Sequence, residues 1–267
     1  MGYAWDNNLR PIFPFLNETD ANKSYNRDKI FFRIDASPCP RSIKKIHKNY
    51  TLTYKPIPPY KDVFLDGPFF CWRYFHHHRD KILAAFAPSK QVLDYLYAKY
   101  GDLIGKSNTV GIHVRTTSRY IHDVAYPFPG LNYFALAIAE FPSDSIFVVC
   151  SDRINWCKKN FTEKFPGRTF VFIEGNDHIE DLFLLSMMKH NILSNLTYSW
   201  WTAYLNTNPG QIVYVPMRMV KEHLHWPIEE FYLPGWKVIP YDFLHDPYPE
   251  DMYLYDEKSQ SLHEKND

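Results

Sequence analysis

Beyond residue 108 the chain alternates short apolar runs with segments of helical apolar spacing. Thr109 to Val114, Ser145 to Cys150, Thr169 to Ile173, Asn191 to Ser194 and Gln211 to Val215 have the length and texture of buried strands. Between them, Leu131 to Phe141, Arg153 to Phe161, Ile179 to Lys189 and Tyr198 to Leu205 repeat apolar residues at helical period. Such alternation calls for an α/β domain, a parallel sheet covered by helices, whose ligands sit at the carboxyl ends of the strands. The earlier part reads differently. Residues 1 to about 70 are rich in Pro, Asn and aromatics, and only Lys29 to Ile34 and Val63 to Leu65 look strand-like. Tyr74 to Tyr100 reads as two helices, with Pro88-Ser89 ending one and starting the next. The polar stretch 256–267 is expected to be a disordered tail.

Composition narrows the function classes. Among 267 residues, 45% are hydrophobic and 18% aromatic, enough for sizeable cores. Thirty basic and 30 acidic residues leave no net charge, so no global field favours nucleic acid, and none is expected as a partner. Cys39, Cys71, Cys150 and Cys157 form no C-x-x-C pair, which predicts free thiols. No 18-residue apolar stretch occurs and the first residues lack the character of a signal peptide, so the expectation is a soluble, cytoplasmic chain. The N-x-Ser/Thr triplets at Asn17, Asn22, Asn49, Asn160 and Asn195 are read as chance matches.

Candidate chemistry falls on the strand ends. Alternation points His113 and Arg115 to one face, where a guanidinium can grip phosphate oxygens and an imidazole can bond a nucleotide or sugar; the bland alternative is a surface Arg beside a partly buried His. The next strand ends carry Ser151-Asp152 and Glu174 to Asp177, which suit nucleotide contacts or helix caps alike. Glu180 and Asp181 complement a helix dipole, and a carboxylate there can also accept two N–H donors from a guanine edge, with Asp181 the better candidate. Asn195 to Ser199 open a helix whose first N–H groups, with the Ser199 hydroxyl, suit a phosphate, while Trp200 and Trp201 belong to the core. Three histidines in a row, His76 to His78, are read as an exposed face that cannot converge on one ion, and there is no Asp-x-Asp pair.

The segments VGIHVR at 110–115, FVVCSDRINWCKKNF at 147–161 and FVFIEGNDHIEDLFLLSMMKHNILSNLTYSWWTAYLN at 170–206, with LDGPFFCWRYFHHHRDKIL at 65–83, closely resemble the α-1,2-fucosyltransferase family, glycosyltransferase family 11. The resemblance implies a GT-B-like fold of two Rossmann-type halves, with residues 1–108 the acceptor-side half and 109–255 the nucleotide-sugar half. It also implies metal-independent, cofactor-free transfer of fucose from GDP-fucose to the 2-hydroxyl of a galactose-terminated glycan, with inversion. Arg115 would then hold the pyrophosphate and His113 the nucleotide. Asp181, Asn195 and Ser199 would lie near guanine and phosphate, and Ser151 and Asp152 would line the same cleft.

Two departures qualify this reading. The family's H-x-R-R-G-D stands here as His113, Val114, Arg115, Thr116, Thr117, Ser118, so one phosphate clamp is absent, and Arg119 is the candidate replacement. The family's Gly-rich first strand has no counterpart, so the first half is expected to be incomplete. The base that takes the acceptor proton is assigned by position to Asp123 or His122. Two rivals stay open: a catalytically inactive nucleotide- or glycan-binding relative, and a transferase for another sugar nucleotide. A Golgi lumenal or membrane-associated setting is the alternative location.

Overall fold

A computed structural model describes residues 1–14, 27–40, 43, 45–51, 53–116, 127–220 and 226–243. The chain divides into two compact units, Met1–Lys99 with Trp226–Pro234, and Tyr100–His225 with Gly235–Asp267.

In the first unit, helix α1 (Gly2–Asp6) is held at close range. A Cβ added at Gly2 would lie 2.1 Å from the Tyr74 carbonyl oxygen, so only glycine allows this approach. The Tyr3 hydroxyl donates to the Pro58 carbonyl at 3.0 Å and accepts from the Tyr60 N–H at 2.8 Å. Strands β1 (Ile46–Lys48) and β2 (Phe64–Asp66) pair in parallel. Helices α2 (Arg79–Ala85) and α3 (Lys90–Tyr100) follow on either side of Pro88-Ser89 as their spacing predicts, and bury Ile82, Val92 and Leu96. Residues 226–234 return to this unit, where Trp226 and Phe231 are buried. Their Glu230 accepts from the Tyr54 N–H and the Cys71 thiol and pairs with Arg73 at 2.7 Å.

Two expectations fail in this unit. Lys29 to Ile34 is not a strand: it ends a helical turn and continues as a 3₁₀ turn at Phe31–Arg33. Tertiary contacts override its β-propensity, with Phe31 set edge-on to Phe86 and the Arg33 guanidinium donating to the Ala87 carbonyl. The histidine run is not simply an exposed face either. His76–His78 form a 3₁₀ turn, and although their backbones diverge, the side chains of His77 and His78 rotate onto one group, Asp6 of α1.

The second unit is a six-stranded parallel sheet. Its strands are β3 (Thr109–Val114), β4 (Ile146–Ser151), β5 (Thr169–Phe172), β6 (His190–Ile192), β7 (Val213–Pro216) and β8 (Lys237–Ile239), in spatial order β5-β4-β3-β6-β7-β8. The connecting helices are α4 (Gly130–Ala139), α5 (Ile154–Lys164), α6 (His178–Ser186) and α7 (Thr197–Tyr204). This is the expected α/β architecture. The chain builds outward from β3 to β5, then returns to the other side of β3 and builds outward again, so the order reverses between β3 and β6. The core on one face gathers Ile112, Tyr133, Phe134, Phe147, Trp156 and Phe161. On the other, Gly111 admits α6: a Cβ there would meet Asn191 Nδ2 at 3.0 Å and the Leu185 carbonyl at 3.1 Å.

Helix α6 stops three residues short of the expected Lys189. The Lys189 N–H is claimed by the Thr109 hydroxyl at 3.0 Å, which turns the chain into β6. Asn191, fully buried, then organises the turn: its Nδ2 donates to the Leu185 carbonyl, and its Oδ1 accepts from Asn206 and Gln211. These bonds satisfy polar groups that burial would otherwise leave costly.

Candidate active site at the carboxyl ends of β3, β4 and β6

Where strand order reverses in a parallel sheet, the loops leave in opposite directions and open a crevice at the strands' carboxyl ends. In this unit that point lies between β3 and β6. The two ends are laced together there: the Ser194 hydroxyl donates to the His113 carbonyl at 2.5 Å and lies 3.4 Å from the Arg115 N–H.

His113, near the end of β3, is buried, and its Nδ1 is a buried polar atom without a hydrogen-bond partner among the described residues. Burial pushes its pKa down to about 4; Asp152 opposes this shift and Arg115 adds to it. The imidazole is therefore neutral at physiological pH, with one ring nitrogen left to bond a ligand. Tyr198 packs against it with ring centroids 4.7 Å apart, and the Tyr198 hydroxyl donates to the His178 carbonyl at 2.5 Å. Tyr198 thus joins the starts of α6 and α7 and fixes the imidazole between them.

Arg115 leaves the sheet half-exposed, its Nε 3.4 Å from Asp152 Oδ2. Asp152 also accepts from the Thr116 N–H and hydroxyl, at 3.0 and 3.1 Å. It acts as an anchor that aims the guanidinium while leaving part of it in solvent. Ser151 accepts from the Arg153 N–H at 3.0 Å and so closes the turn into α5.

Asp181 sits in the first turn of α6. Asp177 caps that helix reciprocally with Glu180: the Asp177 carboxylate accepts from the backbone of residues 179 and 180, and Glu180 accepts from the Asp177 N–H. Dipole and cap are thereby served by Asp177 and Glu180, which leaves Asp181 for other work. Its Oδ1 accepts from Asn176 Nδ2 at 3.0 Å, Asn176 accepts from the Tyr100 hydroxyl at 2.9 Å, and the Cys150 thiol also bonds it. Burial raises its pKa to about 6, against the lowering effect of the Asn176 and Cys150 hydrogen bonds. Cys150 pairs in register with His113 across β3 and β4, so the carboxyl, the thiol and the imidazole form one contiguous cluster.

Asn195 and Ser199 lie inside the fold. Asn195 is buried and donates to the Pro127 and Met219 carbonyls at 2.7 and 3.1 Å; Ser199, fully buried, accepts the Ser194 N–H at 2.9 Å. Both shape the loop that feeds α7. The N-cap of α7 is Leu196, which supplies no side-chain bond to the first-turn N–H groups. Arg119, His122 and Asp123 lie outside the described residues. The residues that sequence reasoning passed over are Tyr198, Tyr100, Cys150 and Ser194. Each acts through a partner remote in sequence, a signal that spacing does not carry.

Comparison with known proteins gives the family. The chain is 34% identical over 151 residues to an α-1,2-colitosyltransferase of Escherichia coli, covering 54% of this chain and 51% of the relative. It is 29% identical over 188 residues to galactoside α-(1,2)-fucosyltransferase 2 of Mus musculus, covering 64% and 53% respectively. The chain thus spans about half the length of the curated relatives it matches. Among solved structures it is similar to NodZ α-1,6-fucosyltransferase soaked with GDP-fucose, with a TM-score of 0.42 and 14% identity over 60% of this chain and 56% of that one. The glycosyl transferase family 11 model matches residues 32–240, a span that holds every strand of the sheet and every described residue of the crevice, and the chain belongs to that family.

Proposed function

We propose that this protein is a metal-independent, inverting glycosyltransferase that moves fucose from GDP-fucose to the 2-hydroxyl of a galactose-terminated glycan. The observation that carries the reading is the buried Nδ1 of neutral His113, without a partner among the described residues, beside a half-exposed Arg115 anchored by Asp152, at the point where strand order reverses. A diphosphate fits this arrangement. Arg115 and the first-turn N–H groups of α7 offer its oxygens donors, and a neutral imidazole adds a hydrogen bond without a second full charge. Asp181, when ionised, accepts the N–H donors of guanine. Transfer is a single displacement in which the acceptor hydroxyl attacks the anomeric carbon and GDP leaves, its charge stabilised by Arg115 and the helix dipole. Asp123 or His122 takes the acceptor proton. No cofactor enters the step.

The name of the colitosyltransferase relative supports a second donor, a nucleotide-linked colitose, because the clamp reads diphosphate rather than sugar. One observation favours binding without transfer: the position after Arg115 is Thr116, tied to Asp152, where the family pattern has a second arginine. A charge-assisted bond contributes roughly 1.5–3 kcal/mol, on the order of a ten- to hundredfold effect. Replacing Arg115 by Ala should weaken GDP binding at least tenfold by calorimetry. Unchanged affinity removes Arg115 from the site, and GDP binding without release of GDP from GDP-fucose in the presence of any galactoside sinks the transferase reading. A preference for UDP-sugars in thermal shift sinks the guanine role of Asp181.

A further inference from the structure

Three side chains of the first unit meet at the end of α1. His77 Nε2 lies 2.8 and 3.0 Å from the two Asp6 oxygens, and His78 Nε2 lies 2.8 Å from Oδ1. The imidazoles pack with centroids 4.4 Å apart, and one ligand atom from each of the three residues falls within 4.8 Å of the others. From this geometry we propose that Asp6, His77 and His78 form a binding site for a divalent transition-metal ion, with zinc the best match.

The donor set is the first argument. Two imidazoles and one carboxylate suit zinc, which takes three protein ligands and a solvent molecule, whereas magnesium and calcium favour oxygen alone. Around a tetrahedral zinc with bonds of about 2.0 Å, ligand atoms stand about 3.3 Å apart, so the two Asp6–imidazole contacts open by about half an ångström and the imidazole nitrogens, within 4.8 Å of each other, adjust to the same spacing. Preorganisation is the second. Asp6 lies 71 residues from His77, yet it is delivered by a helix that only glycine at position 2 allows to dock, pinned through the Tyr3 hydroxyl to Pro58 and Tyr60. Trp5 stands edge-on to His78 at 5.4 Å and restricts that ring. Asp6 and His77 are each nearly half exposed, which gives an ion a route in and keeps its fourth position in water. Bound metal would tie α1 to the 76–78 turn and stabilise the first unit.

The test uses the full chain, stripped by chelator and titrated with ZnCl2 by calorimetry and thermal shift. The expected result is one equivalent bound with a rise in Tm, no comparable rise with MgCl2, and visible d–d absorption on Co2+ substitution. His77→Gln and Asp6→Asn should each weaken zinc binding about tenfold or more, with the circular dichroism spectrum and metal-free Tm retained. His77→Gln is the primary variant, since its exposed ring leaves the fold least disturbed. Full zinc affinity in folded His77→Gln and Asp6→Asn protein would overturn the proposal. So would a MgCl2 shift equal to that of ZnCl2, or no zinc bound at all.

Discussion

Burial drives the His113 imidazole and the Asp181 carboxyl toward their neutral forms, and the two shifts act on stability with opposite sign. His113 falls to about 4 in the fold. Between there and its ordinary value near 6.5, only the unfolded chain takes up the proton, so acidification through that window costs up to about 3 kcal/mol. Asp181 rises from an ordinary 3.8 to about 6. Between those values the folded chain holds the extra proton, so acidification contributes stability, about 2 kcal/mol once its partial exposure is discounted. The two largely cancel. Asp181→Asn should therefore make stability fall more steeply from pH 6.5 to 4, and His113→Asn should make it flatter or rising, as read by urea midpoints across that range. Under the proposed guanine role, GDP affinity should weaken as pH drops through about 6 and lose that dependence in Asp181→Asn. Parallel pH profiles in all three proteins would contradict both assignments.

At the scale of elements, α6 delivers Asp181, and its start depends on the reciprocal cap. Asp177→Ala removes the acceptor of two backbone N–H groups and should cost about 1 kcal/mol, measured by chemical denaturation. GDP affinity should weaken with it, because the loosened first turn carries Asp181, the carboxyl proposed to meet guanine. The elements that sequence made legible are those buried on both sides: β3 and β4 read as continuous apolar runs because helices cover each face. β1 and β8 are three residues long with exposed positions, too short and too mixed for periodicity to register. The site divides similarly. His113, Arg115, Ser151 and Asp152 are legible as candidates because a strand end is itself a positional signal. Asn195 and Ser199 share the same polar residue types but satisfy buried backbone groups, a distinction that only tertiary structure makes. The convergence of His77 and His78 was hidden for the same reason, since its third member comes from α1.

At the scale of the whole molecule, residues 226–234 leave the second unit between β7 and β8 and return to the first, so neither unit is a continuous segment. Glu230 makes that return specific through Tyr54, Cys71 and Arg73. A cut of the chain near residue 108 therefore separates neither unit cleanly.

The pairing of β3 with β6 joins Val110 to His190 and Ile112 to Ile192 across 80 residues. During synthesis β3, β4 and β5 emerge first and can form half a sheet, but the inner edge of β3 has no neighbour until residue 192 has left the ribosome. Contacts of such long sequence separation form slowly. A chain ended after residue 186 should accordingly present an unpaired apolar edge and self-associate, visible as high-mass species in light scattering, whereas the full chain remains dispersed. The crevice proposed to receive the donor is thus assembled late, and its appearance marks the moment the half-sheet ceases to be sticky.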